Sequence, residues 1–232
     1  MSTAVQKRWL FAAAFLLLLA PFAVADSMTL TSAGNIVMAG VYVGPYTATV
    51  NGVTTTVICD DFADETYLGE SWTASSTTFS SLGSTLNTQK WNLSGSQQTQ
   101  LYNEAAWLVT QLLAATNPTT IGEIQFAAWA VFDKNAIPYL SAYNSAWGAA
   151  AQGWLNQAAS QNYSSADFSN FTVYVPTGDY KCPAGNCSTT PPQEFLSMKV
   201  PEGGNPIVYL LTAGLACFAA IFWRNKQGRE LA

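Results

Sequence analysis

Two apolar runs free of charge, one near each end, leave only the middle of this 232-residue chain to build a globular fold. Near the start, Lys7 and Arg8 precede an apolar core from Trp9 to Val24, and Ala23-Val24-Ala25 supplies small residues where a signal peptidase cuts. The expectation is a signal peptide over 1–25. Near the other end, Pro206 to Trp223 is an uncharged stretch at the lower length limit for a membrane-spanning helix. Arg224, Lys226 and Arg229 follow it as a basic stop that stays cytoplasmic, which turns everything upstream of Pro201 outward.

Val200-Pro201-Glu202 and a Gly/Asn/Pro spacer stand immediately before that run. Motif, apolar run and basic cluster in this order resemble the PEP-CTERM sorting signal of exported proteins in Gram-negative bacteria. Gly203 stands where the family has a second proline. The resemblance implies an exosortase-like processing enzyme as a partner. It also implies an extracellular polysaccharide matrix as the setting. The expected segments are the signal peptide 1–25, an extracellular domain 26–199, a motif and spacer 200–205, a transmembrane helix 206–223 and a basic tail 224–232. The chain is thus expected to be exported to the cell envelope or beyond, and held by the membrane at least until it is processed.

Residues 26–199 carry four lysines against twelve acidic side chains, a balance of −8. Such a lysine-poor surface repels nucleic acid and anionic lipid. The chain contains no histidine. That excludes Ser-His-Asp and Cys-His hydrolase arrangements and most catalytic zinc sites. No glycine-rich phosphate loop is present, no cofactor is implied, and conventional turnover is not expected. The plentiful aromatic residues suit a core and leave sugar contact open.

Alternation of β-branched and small polar residues from Thr29 to Cys59 predicts strands, with Asn51-Gly52 as a two-residue hairpin turn. Ser75 to Leu86 reads as a loop. Helical spacing predicts helices over Ser96–Ala115, Ile121–Phe132 (opened by a capping box from Thr120 to Glu123) and Tyr139–Gln161. Strands return at Phe171–Val175 and Gln193–Val200. The expected fold is α+β: an antiparallel sandwich or barrel-like sheet with a helical insert of about three helices.

Cysteine arithmetic singles out one thiol. Cys217 lies in the apolar run, and Cys182 and Cys187 flank a short turn-forming loop suited to a local disulfide. Cys59, at a strand end, is left over. Gln125 stands in what the pattern makes the first turn of an apolar helix, where a buried amide needs a partner. The segments around Cys59-Asp60 and Gln125-Phe126-Ala127-Ala128-Trp129 resemble the thioester domains of bacterial surface adhesins. In those domains a strand cysteine bonds covalently to a helix glutamine. The resemblance implies a Cys59–Gln125 thioester shielded by Phe126, Trp129 and Trp107, a thiolate stabilised by a helix N-terminus, and an amine-bearing surface target.

The alternatives for Cys59 are an inert buried thiol or a disulfide with Cys182 or Cys187. For Gln125 the alternative is a core-network amide, and the module would then be structural or bind polysaccharide without a covalent bond. Asp60, Asp61, Asp64 and Glu65 offer hard oxygens for calcium, but no EF-hand spacing. A solvated acidic turn is the other reading.

Overall fold

The computed structural model describes residues 25–82, 90–91, 93, 95–164, 167–182 and 191–199. The signal-peptide core, the Val200-Pro201-Glu202 motif, the run Pro206–Trp223 and its basic residues lie outside these. Among the described residues no helix is long and apolar enough to cross a membrane.

Strands β1 (Asp26–Ser32), β4 (Tyr46–Val50), β5 (Val53–Cys59), β6 (Ser71–Thr78), β7 (Phe171–Lys181) and β8 (Phe195–Met198) close into an antiparallel barrel. The strand order round it is β1-β4-β5-β8-β7-β6. Two short strands, β2 (Val37–Met38) and β3 (Val41–Tyr42), form a separate pair. Period-two burial marks the inward face: Met28 and Leu30 on β1, Tyr46, Ala48 and Val50 on β4, Trp72 and Ala74 on β6. Phe195 joins them, its ring 5.9 Å from Trp72 and 6.1 Å from Tyr46.

The Asn51-Gly52 hairpin forms as expected. Both residues take positive φ, at 51° and 81°, and Val50 faces Val53 across the turn. The seams of the barrel are unequal. β4 pairs with β5 at five positions from Tyr46↔Val57 to Val50↔Val53, whereas β5 meets β8 only at Ile58↔Leu196 and Cys59↔Phe195.

Four helices lie among the described residues: α1 (Gly95–Ala114), α2 (Pro118–Ala130), α3 (Ala136–Tyr143) and α4 (Ser145–Ala159). α2 packs against all three others, and its residues Ile124 to Ala128 are wholly buried. The α+β barrel with a helical insert is therefore present.

Several boundaries differ from the sequence reading. Asn117 caps α2, its side chain accepting from the backbone N–H groups of Thr119 (2.9 Å) and Thr120 (3.3 Å), so the helix starts at Pro118 rather than Ile121. Gln125 consequently sits mid-helix and not in the first turn. The expected third helix is two, broken at Asn144, whose extended backbone and side-chain cap to Ala146 open α4. Ser75 to Thr78 belong to β6, where the alternation set by Trp72 and Ala74 breaks: Ser76 is exposed and the polar Thr77 is buried instead.

Candidate functional site

Cys59 ends β5 with no exposed surface, and among the described residues it is the free cysteine. Cys182 is disulfide-bonded; its expected partner Cys187 lies outside the described residues. The Cys59 thiol donates to the Asp61 carbonyl at 3.1 Å and accepts from the Asp61 N–H at 3.3 Å.

α2 lays Gln125 directly against this strand end. Its Nε2 donates to the Cys59 carbonyl at 2.6 Å, while its Oε1 accepts from the Gly44 N–H at 3.1 Å. Gln125 is fully buried, and the two bonds hold its amide in a fixed orientation with one end of the group on the cysteine residue itself. The Gly44 N–H polarises the side-chain carbonyl as an oxyanion-hole donor does. The sequence-predicted pair is thus brought together, and Gly44 is a member that spacing could not reveal. Gly44 precedes a cis proline, Pro45.

A Cβ at Gly44 would stand 2.8 Å from Gln125 Oε1 and 3.2 Å from both Ile58 and Tyr46 side chains. Gly44→Ala is expected to push the glutamine off its donor and to cost about 1–3 kcal/mol by overpacking. A drop in thermal midpoint would check this.

The thiol is not activated in the expected way. Burial pushes its pKa well up, and the neighbouring Asp60 charge adds to the rise. Trp129 lies against the thiol and partly offsets that rise; its indole N–H has no hydrogen bond of good geometry. The expected thiolate at a helix N-terminus is replaced by a neutral thiol at a strand end.

The shield expected around the pair is only partly as read from sequence. Phe126 and Trp129 are buried, 4.8 Å apart, and Phe62 packs on both at 5.7 and 5.2 Å. Tyr139 closes the cluster over Phe62 at 5.3 Å. Trp107 instead packs against Trp154 of α4, the rings 6.2 Å apart and tilted by 48°, within the helical layer. Phe62 and Tyr139 take the place assigned to it.

The acidic run after Cys59 does not converge as a cation site. Asp61 and Asp64 both pair with Lys90. Glu65 accepts from the Tyr67 hydroxyl at 2.7 Å. Asp60 is fully buried beside Glu194. Among the described residues no group of three or more acidic or cysteine side chains is placed to hold a metal ion. The calcium reading is replaced by a lysine-clamped turn, in which Asp61 also accepts from the N–H groups of Ala63 (3.0 Å), Asp64 (3.3 Å) and Glu194 (3.3 Å).

Asp60 and Glu194 continue the β5–β8 pairing by one position, the Asp60 N–H donating to the Glu194 carbonyl at 3.4 Å. Burial raises both carboxyls, Asp60 well above its usual range and Glu194 to about 7. The Tyr102 hydroxyl donates to Glu194 Oε1 at 2.5 Å. This pair was invisible in the sequence.

A cavity of about 910 Å³ opens beside the site. Tyr46, Phe62, Trp129 and Phe195 form the part nearest Cys59, while Tyr42 and Tyr67 lie on its exposed side. No family model, no curated protein and no solved structure matches this chain.

Proposed function

We propose that this chain is an exported adhesive module of the cell envelope, whose Cys59 and Gln125 form an internal thioester that a partner's amine opens. The observation that supports it most is the Gln125 amide, fully buried and pinned between the Gly44 N–H and the Cys59 carbonyl. Cys59 Sγ attacks Gln125 Cδ, the Cδ–Nε2 bond breaks, and the thiol proton leaves with the nitrogen as ammonia. A primary amine reaching the site through the adjoining cavity displaces the sulfur, leaves an amide on Gln125 and returns the proton to Cys59. Each molecule acts once, so this is covalent capture without turnover.

Export rests on the two terminal segments described above. The PEP-CTERM-like tail hands the chain to an exosortase-like enzyme or leaves it anchored in the membrane.

Intact mass tests the thioester. The wild-type chain is expected one ammonia lighter than its sequence, to gain methylamine at Gln125 on treatment, and to show neither property as Cys59→Ala. A wild-type mass that leaves Cys59 free and Gln125 intact removes this reading. The cavity with its tyrosine walls then favours the second one, a non-covalent module that holds polysaccharide.

A further inference from the structure

Thioester formation has to move a proton from sulfur to nitrogen, and this site lacks the usual means. The chain has no histidine. The thiol is neutral, its hydrogen bonded to the Asp61 carbonyl, a group that takes no proton. Lys90, the nearest cation, is clamped between Asp61 and Asp64.

The buried carboxyls are differently placed. Asp60 directly follows Cys59, and Glu194 directly precedes Phe195, the cross-strand partner of Cys59. Both side chains are fully buried. Among the described residues, neither Asp60 oxygen nor Glu194 Oε2 has a hydrogen bond of good geometry; Tyr102 donates to Oε1, and the Trp91 indole and the Asp60 carboxyl both lie against Glu194. Orphaned buried carboxylate oxygens are costly. One proton held between the two acids reduces that cost, because the protonated member donates to the other and one charge is neutralised.

We propose that Asp60 and Glu194 share one proton and act as the proton relay for the Cys59–Gln125 reaction. This rests on the thioester reading. The charged member accepts the Sγ proton as the S–C bond forms. The protonated member gives a proton to Nε2 as the C–N bond breaks and ammonia leaves. The pair ends as it began, with one proton, and the reverse transfers serve when an amine opens the thioester. Asp60 already perturbs the Cys59 thiol electrostatically, as does Glu194. The titratable groups around the pair are Cys59 on β5, Tyr46 on β4, Tyr102 on α1, Lys90, and Asp61, itself tied to Lys90.

The shared proton has its own signature in stability. A carboxyl whose folded pKa lies above its unfolded value binds an extra proton in the folded state, so stability falls as pH rises from the ordinary carboxylate range through about 7.

The experiment compares the intact wild-type chain with Asp60→Asn, Glu194→Gln and Glu194→Asp, each checked for native near-ultraviolet dichroism. Intact mass is followed during refolding from denaturant, and infrared spectra are recorded at neutral pH. Both amide variants are expected to lose ammonia at least about a hundredfold more slowly than wild type, the scale of a lost acid–base group. Glu194→Asp should recover part of the rate. The infrared band of a protonated carboxyl should be present in wild type and shifted in both amide variants, whose remaining buried acid no longer donates to a carboxylate, and Glu194→Gln should flatten the fall of thermal midpoint with pH. Amide variants that cyclise at the wild-type rate overturn the relay while leaving the thioester intact. A wild type with the protonated-acid band but no ammonia loss overturns the thioester and the relay with it. A wild type that loses ammonia without such a band overturns the shared proton alone.

Discussion

Gln125→Leu is expected to abolish amine trapping completely and to lower the thermal midpoint by several degrees or more. Leucine fills much the same volume, so the loss is one of bonding rather than packing. Relative to a chain that keeps the Gln125 amide, such as Cys59→Ala, the Gly44 N–H and the Cys59 carbonyl, both buried, would each lose the partner that Gln125 supplies. At about 1–3 kcal/mol for each unsatisfied buried group, the cost is about 2–6 kcal/mol. For a domain of this size each kcal/mol moves the midpoint by about 2–4 °C. Gln125→Glu separates bonding from chemistry: its carboxylate still accepts from Gly44 but carries no amide nitrogen to expel. Calorimetry beside methylamine labelling reads both effects. A leucine variant as stable as wild type would show that Gln125 does not tie α2 to the barrel.

Lys90→Met should be comparably damaging by a different route. Asp61 is wholly buried, and Lys90 supplies its positive charge while also reaching Asp64. Removing one partner of a buried pair leaves an uncompensated charge, a loss of about 3–5 kcal/mol. Three backbone N–H groups still face Asp61, which places the expectation at the lower end, near about 3 kcal/mol. The double variant Lys90→Met with Asp61→Asn should recover most of the stability, because the stranded charge is then gone. Denaturant unfolding of wild type and the two variants checks this, and equal losses in the single and double variants would contradict it. Lys90 also draws the Glu194 and Asp60 carboxyls downward, so its removal should make both harder to ionise.

Local chemistry was legible in the sequence where a single residue type dictates it. Asn51-Gly52 forced a hairpin, and Cys59 and Gln125 stood out as a thiol and an amide among apolar neighbours. Barrel closure was not legible, because alternation says that Tyr46 and Trp72 face inward without saying which strands lie side by side. Ser75 to Thr78 escaped for a related reason, since the burial pattern slips by one residue there, leaving Ser76 exposed and burying Thr77, which is not a hydrophobe. Asn144 breaks the last helical segment by capping α4, a signal present in the sequence but masked by the alanine-rich run after it. Glu194 had no local signature at all. Its partner Asp60 lies 134 positions away in the chain, and only the short β5–β8 contact makes them neighbours.

That contact sets a clock. With just two residue pairs between β5 and β8, the barrel is least tightly laced where Cys59 sits, and sparsely bonded segments open most readily. Brief parting of this seam would admit water, and on the proposed thioester reading its frequency would govern how long an unspent bond survives storage before a partner arrives. Amide hydrogen exchange at Ile58, Cys59 and Leu196 would measure how often the seam parts.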